Sequence, residues 1–190
     1  AYAGGGGPNK NNSSRDPWHN KRKAIAAKVL ASAKAFAKKA NDPYFNQVFK
    51  KVMPRLTTGW FNFKYHAGIG RMLPVNSYES FRQGNIGLII VMKQDLAKKA
   101  HHPGILSFNK RNFYAYFDCK MRALVVPQSA DGVFGSIVLL HEMAHAHDFI
   151  TRGRCAMYVE RIHDELHIWK KQRALMRKGL GKKYQNIIAK

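Results

Sequence analysis

The stretch Ile137–Ala146 reads IVLLHEMAHA, an apolar run followed by two histidines four residues apart. Side chains four residues apart lie one above the other on an α-helix, so the imidazoles of His141 and His145 can reach one Zn²⁺ ion. Glu142, between them, would take a proton from a zinc-bound water. The apolar lead-in is typical of a buried active-site helix. This stretch therefore predicts a zinc site on a core helix.

Helix and strand patterns extend outward from this stretch in both directions. The motif helix should begin near Val133 and end about Gly153, and a last long helix should follow it. Two helices are expected near the N-terminus, the first of them basic and amphipathic, and short strands between the two helical regions. The predicted helices are Asp16 to about Lys39, Asn41 to Pro54 and Met157 to Lys178, and the predicted strands are Ile86–Met92, Phe113–Phe117 and Met121–Val126.

The pattern predicts an α+β, zincin-like fold, with N-terminal helices, a small mixed or antiparallel sheet, the active-site helix and a following C-terminal helix. A chain of 190 residues is long enough for one domain with tails. We expect a flexible, basic and Gly-rich arm over residues 1–15, a single domain over 16–178 and a basic tail over 179–190. No apolar run approaches membrane-spanning length, which predicts no membrane span.

A catalytic zinc normally has three protein ligands, so a third is needed. On the last helix Glu160, His163, Asp164 and His167 share one face at spacings of three and four. His163 is the predicted third ligand and Glu160 its rival. Glu165 falls with the apolar side, formed by Ile162, Leu166 and Trp169. It is not counted as a ligand, although its distance from His145 would suit a thermolysin-like enzyme.

Other polar residues of these two helices are candidates to support the ligands. Asp148 falls close to the face of His141 and His145 and could orient one imidazole, as outer hydrogen-bond partners do in metal sites. Asp164 and His167 are further candidates for this outer layer. His163, His167 and Tyr158 are all candidates to steady an oxyanion, and the sequence does not choose among them.

The charge of the chain is extreme, with 33 Lys and Arg against 11 Asp and Glu, a formal net charge of +22. Such a field favours phosphate polyanions, so nucleic acid is the first partner to consider, DNA ahead of RNA. Five of the eleven acids fall within the 24 residues Glu142–Glu165. The predicted nucleic-acid contacts are Lys21, Arg22, Lys23, Lys170, Lys171, Arg173, Arg177 and Lys178.

Only two cysteines occur, Cys119 and Cys155. This count indicates neither a disulfide framework nor a zinc ribbon, and it fits either a reducing compartment or a protein indifferent to redox conditions. The N-terminal residues contain no charged-then-apolar signal region. We therefore expect an intracellular protein, or one packaged within a particle that contains nucleic acid.

The stretch Leu139–Ala146, followed by Phe149-Ile150-Thr151, resembles the active-site helix of SprT-like zinc metallopeptidases. The resemblance implies a zinc peptidase whose third ligand is a histidine from a following segment, and His163 lies near that position. It also implies substrates among proteins bound or crosslinked to DNA. The pattern departs from the family because Asp164 follows His163 where the family has glycine. Glu160-x-x-x-Asp164 equally resembles an element of glutamate-type zincins.

Two functions from different classes are therefore expected. The first is a zinc metallopeptidase acting on proteins at or near nucleic acid, with Glu142 as the base. The alternative is a non-catalytic, nucleic-acid-binding structural component of a virion or ribonucleoprotein with a zincin-like core. A small secreted toxin peptidase is a weaker third hypothesis, because no export signal is visible.

Overall fold

The structure, a computed structural model, describes residues 18–59, 63–66, 71–74, 84–92, 115–120 and 122–188. The predicted arm over residues 1–15 and the Asp16-Pro17 helix start lie outside these ranges, as do Phe113 and Met121 at the starts of two predicted strands.

Two helices open the described part of the chain, as predicted. Helix α1 (His19–Ala40) ends at Asn41, whose φ of 47° lies in the left-handed region that asparagine tolerates. Helix α2 (Pro43–Val52) begins at Asp42, whose carboxylate accepts a hydrogen bond of 3.1 Å from the Phe45 N–H. Proline at the first helical position and aspartate at the cap together explain why a second helix starts here. A 3₁₀ turn (Met53–Arg55) leads from α2 into the first strand.

Four strands form a small mixed sheet beneath the helices: β1 (Leu56–Gly59), β4 (Ile86–Val91), β5 (Tyr116–Asp118) and β6 (Ala123–Pro127). Their order is β1-β4-β6-β5, with β1 and β6 parallel to β4 and β5 antiparallel to β6 at the edge. Strands β2 (Phe63–His66) and β3 (Arg71–Pro74) form a separate antiparallel pair. The mixed sheet among mostly helical elements confirms the α+β class.

Helix α3 (Val133–Arg152) carries the two motif histidines through the centre of the domain. It packs against α1, α2, the following helix α4 (Tyr158–Leu180), and strands β5 and β6. Leu139, Leu140, Met143 and Ala144 are fully buried in the same core as Leu88 and Leu124 of the sheet. The prediction that the motif helix is a core helix is confirmed.

Helices α1 and α4 pack closely at Gly179. The Phe36 ring of α1 occupies the space where a β-carbon on residue 179 would lie, so any larger residue here would require the ring or the helix to shift. Close by, the Lys178 ammonium lies 2.9 Å from the Asp42 carboxylate. The segment predicted to be a basic tail, 179–190, contains a further helix, α5 (Lys182–Ile188), in which Tyr184 is buried.

Candidate metal centre

The two motif histidines lie on adjacent turns of α3, with ring centroids 5.1 Å apart. The His141 side chain is almost fully buried, whereas about a fifth of the His145 side chain is exposed. Burial lowers the pKa of His145, and the nearby Glu165 charge opposes this shift. A histidine with a lowered pKa is neutral at physiological pH, which is the form that binds a metal.

The third member of the site is Glu165, on α4. One of its carboxylate oxygens lies 2.7 Å from His141 Nε2, and the other lies 2.8 Å from His145 Nε2. The candidate ligand atoms of these three residues all lie within 4.8 Å of one another, so the group could hold a metal ion. Gly153, with a left-handed φ of 79°, ends α3 and allows the chain to turn back into α4.

The predicted third ligands, His163 and Glu160, lie elsewhere. His163 is exposed. Glu160 accepts hydrogen bonds from the Arg154 guanidinium at 2.7 and 3.0 Å and from the Met157 N–H at the start of α4. Glu165, which the sequence analysis set aside, lies beside both imidazoles, because the apolar residues around it do not form the core-facing side of α4. Ile162, Leu166 and Trp169 are all exposed, and the core-facing side carries Ile168 and Leu175 instead.

The residue that orients a ligand imidazole is Gln172, which the sequence did not single out. His141 Nδ1–H donates a hydrogen bond of 2.5 Å to the Gln172 side-chain oxygen, and both side chains are buried. This bond places the ring proton on Nδ1, so His141 Nε2 is the nitrogen available to a metal. The one signal in the sequence is the position of Gln172, two helical turns beyond Glu165.

Of the three predicted outer residues, Asp164 and His167 contact other partners, and the Asp148 charge acts on His145. The Asp164 carboxylate accepts hydrogen bonds of 3.0 and 2.9 Å from one Arg152 nitrogen, which ties the end of α3 to α4. Asp148 is partly buried, and burial together with the nearby Asp164 charge raises the pKa of its carboxyl. The His167 ring is exposed and stacks edge-on with Tyr44 of α2, at 5.5 Å between centroids.

Glu142 lies beside the group formed by His141, His145 and Glu165, and it contacts strand β5. Its carboxylate accepts a hydrogen bond of 3.0 Å from the Phe117 N–H of β5. Burial raises the pKa of Glu142 to about 8; the Glu165 charge adds to this rise and the Phe117 N–H opposes it. A carboxyl with a pKa near neutrality can both accept and return a proton, as a general acid–base requires.

A cleft of about 720 Å³ opens onto this group. Strand β5 forms one wall, and the α3–α4 connection with the first turns of α4 forms the other. Its lining residues include Glu142, His145 and Glu165, and also Tyr158, one of the three candidates to steady an oxyanion.

Cys119 and Cys155 form a disulfide across one end of this cleft, with 5.6 Å between their α-carbons. This bridge was not predicted from the sequence. The bridge joins the end of β5 to the connection between the two helices that carry the metal-binding group. A pair separated by 36 positions gave no sequence signal, because a single bridge has no diagnostic spacing.

The predicted nucleic-acid contacts fall into three groups. Arg22 is buried and its guanidinium donates a hydrogen bond of 2.8 Å to the Ile90 carbonyl, so its assignment to a nucleic-acid surface is corrected. Lys171 lies over the Tyr44 ring, and Lys178 pairs with Asp42. The remaining members are exposed on α1 and α4: Lys21, Lys23, Lys170, Arg173 and Arg177.

Comparison with models of known protein families, with curated proteins and with solved structures finds no match for this chain. Within the described ranges, every helix is too short or too polar to cross a membrane.

Proposed function

We propose that this chain is a zinc-dependent metallopeptidase, with the metal held by His141, His145 and Glu165 and with Glu142 as the general base. One observation carries the proposal. Two imidazole nitrogens and a carboxylate converge within 4.8 Å, beside a second carboxyl whose pKa is raised to about 8.

The donor set fits zinc better than the other common divalent ions. Calcium and magnesium prefer oxygen ligands, whereas two imidazoles with one carboxylate are a known catalytic zinc set that leaves a position open. Gln172 supplies the outer hydrogen bond that ligand imidazoles usually have. When bound, zinc would supply Lewis acidity that activates a water and polarises the scissile carbonyl.

The protein residues have separate tasks in amide hydrolysis. Glu142 accepts the proton of the attacking water and passes it to the departing amine. The Phe117 N–H holds the Glu142 carboxylate at 3.0 Å, which brings the edge of β5 next to the reacting groups. Among the described strands β5 is an edge of the sheet, and an extended substrate can lie along such an edge, as peptides do when they add a strand. Tyr158, in the cleft lining, is then the candidate to steady the oxyanion.

The ligand set bears on the kind of peptidase. A glutamate as third ligand supports a glutamate-type zincin rather than the third histidine implied by the SprT-like resemblance of α3. Action on proteins at nucleic acid is supported by the net charge of +22 alone.

The experiment is a paired measurement of zinc content and proteolysis. Purified parent protein should contain about one zinc per chain and cleave an unfolded protein such as casein. Glu142→Gln should retain the zinc and lose cleavage by roughly a hundredfold or more. A zinc-loaded Glu142→Gln protein that still cleaves casein at the parental rate would overturn the assignment of the base.

A second candidate function rests on the exposed cations of α1 and α4. Lys21, Lys23, Lys170, Arg173 and Arg177 are exposed in a chain with 22 more basic than acidic residues. This favours a nucleic-acid-binding structural protein. Binding that weakens steeply with salt, together with no cleavage of casein or of DNA-bound protein by the zinc-loaded chain, would select this function over the peptidase.

A further inference from the structure

Helix α4 carries two apolar faces, and one of them is exposed. Its core-facing side buries Ile168 and Leu175. A second set of large apolar side chains lies on the outer side, with exposed fractions between 44% and 76%, and we call it the α4 stripe: Tyr158, Val159, Ile162, Leu166 and Trp169. Contiguous exposed apolar residues on a helix are typical of binding surfaces.

The α4 stripe is continuous with the candidate metal centre. Tyr158 and Ile162 line the same cleft as Glu142, His145 and Glu165. Further along the helix, the Trp169 ring lies 5.0 Å from the His141 ring. From Tyr158 to Trp169 the helix rises roughly 16 Å, which is the length of about five residues of extended peptide.

Charge disfavours two alternative binding partners for the α4 stripe, a nucleic acid and a second copy of the chain. The residues that line the cleft include three cations (Lys120, Arg152, Arg161) and four acids (Asp118, Glu142, Asp164, Glu165). The end of the α4 stripe that lines the cleft is therefore nearly neutral in a strongly cationic chain, which disfavours a nucleic acid there. A second copy of the chain would bring another net charge of +22 against the first.

We propose that the α4 stripe binds bulky apolar side chains of an extended protein substrate, which enters the cleft where Tyr158 and Ile162 line it. The inference rests on the proposed peptidase function and names its substrate class: unfolded or extended segments rich in large apolar residues. Ile162 and Leu166 are the specificity-determining residues, because they lie on the turns beside Glu165 without belonging to the metal-binding group.

The test separates binding from cleavage. Zinc-loaded full-length Glu142→Gln protein is titrated into a fluorescent ten-residue peptide that contains leucine and phenylalanine, and into the same peptide with serine at those positions. The leucine–phenylalanine peptide should bind more tightly by roughly tenfold or more, as large apolar groups in an apolar site do. Adding Ile162→Gln or Leu166→Gln should weaken its binding by about tenfold.

Phe134→Gln is the matched control, since Phe134 is 63% exposed, close to the 65% of Leu166, but lies at the start of α3 and is not part of the α4 stripe. It should leave peptide binding unchanged. Circular dichroism melting should show that the Ile162→Gln, Leu166→Gln and Phe134→Gln variants fold like the parent, because each of these side chains is exposed.

The outcomes separate this inference from the proposed function. If the protein cleaves casein but binds the two peptides equally, or if Leu166→Gln leaves peptide binding unchanged, the proposed peptidase function stands. The proposed role of the α4 stripe is then contradicted. If the protein never cleaves casein but loses peptide binding on Leu166→Gln, the α4 stripe is a peptide-binding surface and the proposed peptidase function is contradicted. The stripe is also overturned if Leu166→Gln dissociates a dimer in sedimentation, or abolishes binding to a DNA oligonucleotide.

Discussion

Helices α3 and α4 both contribute to the candidate metal centre, yet their sequences reveal this very differently. On α3 the metal-binding face and the buried face largely coincide, so apolar residues and histidines mark one surface. On α4 the apolar residues occupy two faces, one buried and one exposed, with Glu165 between them. Helical spacing identifies faces but does not say which of them meets the core. A metal ligand on a helix with two apolar faces is therefore easily misassigned from the sequence alone.

The largest expected effect is on the free energy of unfolding, and it distinguishes the apolar face of α4 that packs in the core from the one that does not. Ile168→Ser should destabilise the fold by about 4 kcal/mol, because Ile168 is fully buried, whereas Leu166→Ser should change stability by less than about 0.5 kcal/mol. Urea unfolding of both variants measures the difference. Equal losses for the two would mean that the exposed face of α4 packs against the protein after all.

A similar loss is expected at the connection between the two helices. Cys119→Ser, Cys155→Ser and the double variant should each lower the free energy of unfolding by about 4 kcal/mol, the chain-entropy value for a loop of 36 residues. The double variant should lose no more than either single one, because each removes the same bridge. Identical melting of oxidised and reduced parent protein would contradict this.

The next prediction concerns zinc affinity and tests which residue of α4 is the third zinc ligand. Glu165→Ala should weaken zinc binding by roughly a hundredfold, since the binding free energy of a four-ligand zinc site corresponds to about 3 kcal/mol per ligand. His163→Ala and Glu160→Ala are the matched controls and should bind zinc like the parent. Competition with a fluorescent chelator measures all three. Loss of zinc with His163→Ala alone would restore the histidine as third ligand.

On α3, Glu142 should make the metal-free protein less stable as pH rises. Its folded-state pKa is raised from 4.5 to about 8, so the folded form binds the proton more tightly than the unfolded form. The stability from this proton is present below pH 4.5 and is lost as pH rises through 8. In chelator-treated protein, the parent should lose roughly 3 kcal/mol more than Glu142→Gln between pH 5 and 8. Parallel stability curves for the two proteins would contradict the raised pKa.

The smallest effect concerns the hydrogen bond that links the two helices inside the core. Gln172→Leu should weaken zinc binding by about ten- to a hundredfold, the usual cost of losing an outer partner of a ligand imidazole. Gln172→Glu retains an acceptor for His141 Nδ1–H and should bind zinc more tightly than Gln172→Leu. Isothermal titration with zinc compares them. Equal affinity for the two variants would show that the hydrogen bond does not position His141.

Much of the fold followed from local signals. The Asp42-Pro43 helix start, the Gly153 helix end and the apolar lead-in before His141 are local features, and each occurs in the structure where it was expected. In the site, His141, His145 and Glu142 followed from spacing along one helix. Glu165, Gln172 and the Cys119–Cys155 bridge depend on how separate elements pack, and no pattern within a single element encodes that. Arg22 was misassigned for the same reason, since its burial depends on the position of β4.

The glycine at position 179 has a consequence for the distant end of α4. Gly179 meets the Phe36 ring with no room for a side chain, and 14 residues, or roughly 21 Å of helix, separate it from Glu165. Even alanine at position 179 would require the Phe36 ring or α4 to shift, and a shift of α4 would move the Glu165 carboxylate relative to the two imidazoles. A random mutagenesis screen for lost zinc binding should therefore recover substitutions of Gly179.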